Sequence, residues 1–223
     1  MRWSVKIAVI IMFFAGLPLF ALAQSKEKLP DPGAYLVPLD NYSKAGKALA
    51  ARYQPELISM AVRTNRELKS GRFQLLDANH SPSAGVGFYL DPRTNSDESR
   101  YLGMVARVNV KLTYWPDNDW GRLGDALDAF GKDLLKVLGS GLDNVHDRSI
   151  EGAMLVLIYS KADLDDPDYY NQAEAMVIFI PRDVLKNFNS YRLTFNQMFF
   201  KSDVYYFQSA EQIQVLTDVF LRG

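Results

Sequence analysis

Residues 101–114 read YLGMVARVNVKLTY. Leu102, Met104, Ala106, Val108, Val110, Leu112 and Tyr114 fall on one side of an extended chain. Tyr101, Gly103, Val105, Arg107, Asn109, Lys111 and Thr113 fall on the other. Side chains of a strand alternate between its faces, so this pattern predicts a strand with its even-numbered face on a core. The odd-numbered face is expected to be largely wet, or to line a ligand groove through Arg107, Asn109 and Lys111. Charged side chains there also discourage sheet-to-sheet association.

The flanks extend the pattern. Val86 to Leu90 read as a shorter strand, joined to the long one by a polar turn over residues 91–99. Pro116 stops the long strand. Trp120, Leu123, Leu127, Phe130, Leu134 and Leu138 then recur at spacings of three and four, which predicts an amphipathic helix ending at Gly139 and Gly141. Ile150 to Tyr159 and Ala173 to Ile180 are nearly continuous apolar runs, expected as central strands joined in a hairpin. Asp183 to Phe188 suits a short helix and Val204 to Phe207 a short strand. Arg192 to Phe200 is open between helix and strand. Ser209 with Gln212 forms a capping box for a C-terminal helix. Paired strands with helices between them imply an α+β fold: an antiparallel or mixed sheet of about five strands, helices mainly on one face, and a helical segment before it.

That N-terminal segment spans residues 42–70. Ser43 is placed to cap it, and Ala45, Leu49, Tyr53, Leu57, Met60 and Ala61 recur at helical spacing. Pro55 inside the run predicts a kink or two short helices. Residues 24–41 are charged and then rich in proline, and are expected to form a flexible tether over the surface.

The first 23 residues have the form of a cleavable export signal. Arg2 and Lys6 precede an apolar run from Ile7 to Leu22, broken by Gly16 and Pro18. The run ends in Ala21-Leu22-Ala23, with cleavage expected before Gln24. A membrane span needs about 20 apolar residues, so an uncleaved anchor is the lesser alternative. Residues 42–223 then form a single domain, long enough to bury roughly 70% of its unfolded surface. The chain has no Cys, which excludes thiol nucleophiles, thiolate metal sites and a lipidated cysteine. An exported chain of this length without disulfides suits a bacterial envelope. Removing Arg2 and Lys6 from the 25 basic residues leaves 23 against 26 acidic, a net charge of −3. That is no footprint for nucleic acid, and no polybasic lipid patch stands out.

Catalytic signatures are absent. His80 and His146 are the two histidines, and neither lies in a zinc-hydrolase frame. His146, flanked by Asp143 and Asp147, has the setting of a general base and equally that of a polar connector. Counted from Asp163, the residues Asp163, Asp165, Asn171 and Glu174 stand at oxygen-ligand positions of a calcium loop. Pro167 and Asp168 occupy the places of a ligand and of the turn glycine, so the match to calcium is poor. Trp115 and Asp117 at the strand–helix corner suit a glycan, by stacking and hydrogen bonding, or else simple packing and capping.

The reading that follows is an exported, non-enzymatic binding or scaffolding module of the periplasm, whose partner is an envelope protein or a glycan. A carboxylate-dependent hydrolase of cell-wall glycans or peptides is the first alternative. It requires two of Asp117, Asp119, Asp143, Asp147, Asp163 and Asp165 in one cleft. A small-molecule carrier with an apolar cavity is the second.

Overall fold

The computed structural model describes residues 31–67, 73–75, 85–91, 99–108, 119–160, 173–208 and 221. The helices are α1 (Lys44–Arg52), α2 (Gln54–Glu67), α3 (Asp119–Ala126), α4 (Lys132–Asn144), α5 (Arg182–Asn189) and α6 (Phe195–Phe200). The strands are β1 (Phe73–Leu75), β2 (Gly87–Leu90), β3 (Arg100–Val108), β4 (Ile150–Ser160), β5 (Ala173–Pro181) and β6 (Asp203–Phe207). They make one mixed sheet in the order β1-β3-β4-β5-β6, with β2 also on β3. β3 and β4 run parallel, joined through α3 and α4, and the other pairings are antiparallel. The fold is α+β, as the paired strands imply.

β3 carries the even-numbered core face that its alternation predicts. Leu102, Met104 and Ala106 are fully buried, and Leu102 lies under α4, beside Gly141. The odd-numbered face differs from expectation, because it is not wet. All nine residues of β3 are buried. Its neighbours in register on that side are Met154, Val156 and Ile158 of β4, backed by Phe179 and Val177 of β5. Tyr101 meets Phe179 edge-on at 5.1 Å, and Phe179 meets Tyr205 at 6.0 Å. A strand held between two others in a sheet apolar on both faces has no solvated side. Arg107, expected on a wet or groove-lining face, is therefore buried.

Two other expectations change. The helix does not stop at Gly139 and Gly141 but runs on to Asn144. These glycines serve packing: a Cβ on Gly139 would strike Asn189 of α5, and one on Gly141 would strike Met60 of α2. Upstream, Leu127–Gly131 forms a π-helical turn between α3 and α4. The tether is not free over its whole length either. Residues 32–41 form two 3-10 turns, Pro32–Tyr35 and Leu39–Asn41, with Leu36 and Val37 buried. The Val86 amide donates to the Tyr35 carbonyl at 2.7 Å, and the Val37 amide to that of Val86 at 3.1 Å. Gly87 has no side chain to keep Val37 and Tyr42 away from β2.

Ser43 caps α1 as expected, accepting from the Gly46 amide at 3.3 Å. Its hydroxyl also accepts from the buried guanidinium of Arg100 at 2.7 Å, which lies against Gly46. Tyr42 accepts from the Phe88 amide at 3.1 Å, and burial raises its phenol pKa far above the ordinary value. Pro55 falls in the first turn of α2, immediately after the break at Tyr53. The segment is thus two helices, the second of the alternatives left open above. The strand β1 has no counterpart in the sequence reading.

Candidate functional site

Three places on the described surface concentrate polar or exposed aromatic side chains: the α4–α5 cleft, the α3–β5 edge and the α5–α6 corner. The cleft is built by Arg182, the first residue of α5. Its guanidinium donates to the carbonyls of Leu142 (2.9 Å), Val145 (3.3 Å) and Ile150 (3.0 Å), closing the C-terminus of α4. Cationic donors satisfy the carbonyls a helix end leaves over. The space between the helices holds about 520 Å³ and is lined by Lys136, Ser140, Asp143, His146, Lys186 and Asn189, among others. Among the described residues, Asp143 is the sole acid lining it. Asp147 turns away, accepting from the Ser149 amide (3.0 Å) and hydroxyl (2.7 Å) and from Arg52 (2.9 Å). Those bonds hold its carboxyl below the usual carboxylate range, the Ser149 hydroxyl contributing most. His146 is exposed.

At the α3–β5 edge, Arg122 grips both carboxylate oxygens of Glu174 through Nε at 2.9 Å, and one of them through Nη2 at 2.7 Å. Nη2 also reaches the Tyr206 hydroxyl at 3.4 Å. Desolvation, reinforced by the Glu174 charge, pushes the Tyr159 phenol pKa well above its ordinary value. The calcium set thus enters the described structure only through Glu174, whose carboxylate is engaged by Arg122. Asp163, Asp165 and Asn171 lie outside the described residues, as do Trp115, Asp117, Asn109 and Lys111. Among the described residues no group of three His, Asp or Glu is arranged to hold a metal ion.

The corner between α5 and α6 is set by a helix ending. The Tyr191 amide donates to the Phe188 carbonyl at 2.9 Å, and the Arg192 amide to that of Asn187 at 2.8 Å. These two bonds define the Schellman motif, whose key residue takes left-handed backbone geometry and is usually glycine. Here it is Tyr191, at φ +60°, the one described non-glycine residue with positive φ. Its side chain is 89% exposed. The chain then enters α6 through a capping box. Thr194 accepts from the Gln197 amide at 3.3 Å, and Gln197 accepts from the Thr194 amide at 2.9 Å. Phe195 stacks on Phe199 at 6.1 Å beneath Lys132, while Phe200 at the end of α6 is 84% exposed. Sequence reasoning missed both Tyr191 and Phe200. The sequence reading ends the helix at Phe188, where Asn189 offers an ordinary helix stop, so nothing there signals that Tyr191 takes the left-handed position.

No protein-family model, curated protein or solved structure matches the chain. Among the described residues no helix is long and apolar enough to cross a membrane.

Proposed function

We propose that the chain is an exported, non-enzymatic binding module of the bacterial envelope that makes contact through the α5–α6 corner. One observation carries this reading: a tyrosine with its ring in solvent occupies a backbone position that favours glycine. Backbone strain of this kind persists where surrounding structure enforces it, and it concentrates at binding and switching sites. Phe200, close by in the chain, adds a second exposed aromatic ring. The hydrolase alternative receives less support. It calls for two carboxyls in one cleft, and among the described residues the α4–α5 cleft has Asp143 alone while Asp147 is bound elsewhere. The carrier alternative calls for an apolar cavity of several hundred Å³; the α4–α5 cleft sets Lys136, Lys186, Arg182, His146 and Asp143 beside Leu142 and Leu185, and the apolar hollow lined by Leu36, Val37, Leu39 and Leu57 holds about 240 Å³.

The test has two parts. N-terminal sequencing of the protein from a periplasmic extract should begin at Gln24. Retention of the purified protein on native envelope fractions should drop at least tenfold in a Tyr191→Ser/Phe200→Ser variant whose melting curve matches wild type. Equal retention of the two proteins would remove the α5–α6 corner from the binding surface.

A further inference from the structure

The charge around these two rings is distinctive. Residues 181–203 contain Arg182, Lys186, Arg192 and Lys201 against Asp183 and Asp203, a net charge of +2. The whole chain carries −1, so the remainder carries −3. Each exposed ring has a cation as its immediate neighbour: Tyr191 is followed by Arg192, and Phe200 by Lys201. Both cations are exposed, and among the described residues neither meets an acidic partner. Three residues of connecting chain and the six of α6 keep the two pairs within about 20 Å of one another.

We infer that this corner docks the protein peripherally on an anionic lipid surface, with Tyr191 and Phe200 entering the headgroup region and Arg192 and Lys201 facing lipid phosphates. The inference rests on the binding role proposed above and names its partner. A protein partner anchors aromatic residues in fully desolvated pockets surrounded by complementary contacts. Neither ring lines the α4–α5 cleft. Two rings on separate turns, each with a cation beside it, suit a fluid interface, which demands no matching shape. Tyrosine is enriched at membrane–water interfaces, and basic residues are drawn to anionic leaflets. The corner supplies both.

Co-sedimentation with vesicles tests this. One set is phosphatidylcholine alone, and the other is three-quarters phosphatidylcholine and one-quarter phosphatidylglycerol. The purified exported protein should sediment with the anionic set at low salt, should not sediment with the neutral set, and should be released near 1 M salt, where screening shortens to about 3 Å. Arg192→Gln and Lys201→Gln should each lower partitioning about fivefold, from roughly 1 kcal/mol per basic residue at such a surface. Tyr191→Ser/Phe200→Ser should abolish it while leaving the circular dichroism spectrum unchanged. Equal partitioning onto both vesicle types, none onto either, or full binding by the double serine variant would each overturn the lipid inference. If vesicles fail but detergent-solubilised envelope proteins retain the wild type and not the serine variant, the binding role stands with a protein partner. If neither retains the protein, both proposals fall.

Discussion

Replacing Tyr191 with glycine should stabilise the protein. A non-glycine residue in left-handed geometry costs about 1–2 kcal/mol. Glycine returns about 0.4–1 kcal/mol of this through the greater freedom of the unfolded chain. Little packing is lost, because the ring is 89% exposed. The Schellman bonds from the amides of residues 191 and 192 are backbone bonds and survive the change. The net expectation is about 0.5–1 kcal/mol in favour of Tyr191→Gly, a rise of about 1–4 °C in Tm for a chain of this size. Tyr191→Ala is the control. It removes the same ring but keeps the Cβ that makes the backbone geometry costly, so it should stay within about 0.5 kcal/mol of wild type. Urea titration followed by far-ultraviolet circular dichroism measures both, and an unchanged m value would show that compactness is unaltered. A glycine variant less stable than wild type, or an alanine variant more than about 1 kcal/mol weaker, would show that the ring is packed in solution. The argument for an exposed, costly tyrosine would then fail.

Two glycines of the helical stretch 119–144 should respond with opposite signs. A Cβ on Gly124 would meet nothing within 4 Å, so Gly124→Ala should gain about 1 kcal/mol from helix propensity, whereas Gly141→Ala drives a methyl into Met60 and should lose about 1–3 kcal/mol by thermal melt. Glu174→Gln leaves the Arg122 guanidinium short of its counter-charge. With side chains only 9% and 15% exposed, this should cost about 2–4 kcal/mol, and a double-mutant cycle with Arg122→Gln should return a coupling above about 1 kcal/mol. The lowered carboxyl of Asp147 makes a contribution that is present above the unfolded carboxylate pKa of about 4 and is lost as pH falls through the folded value. Asp147→Asn should therefore be less stable than wild type at pH 7, with the gap closing below about pH 4, and a constant gap across chemical denaturation curves would contradict that linkage.

The fold was legible where burial dictates residue type. The even face of β3, the apolar runs of β4 and β5, and the cap at Ser43 follow from rules that act within a few residues. What stayed hidden depends on distant neighbours. The odd-numbered residues of the stretch 101–114 read as half-polar because Arg107, Asn109 and Lys111 are among them, yet over 100–108 that face is buried against strands some fifty and seventy-five residues away in sequence. Gly139 and Gly141 look like a helix stop, but their role is set by Asn189 and Met60, which no local window contains. Val37 looks like linker until Gly87 opens the space into which it fits.

The candidate site was hidden for a different reason. It consists of departures from local rules, and a departure is visible only when the rule is known to apply. Tyr191 is ordinary in a loop; it becomes costly once the bonds to Phe188 and Asn187 show that it holds the glycine position of a helix ending. The neighbouring residues argue against a carelessly built corner. Thr194 and Gln197 form a complete capping box three residues later, Met198 is fully buried, and Phe195 stacks on Phe199. A segment that meets every nearby requirement and breaks two, both by presenting aromatic rings beside cations, has its exceptions where contact with something outside the fold would put them.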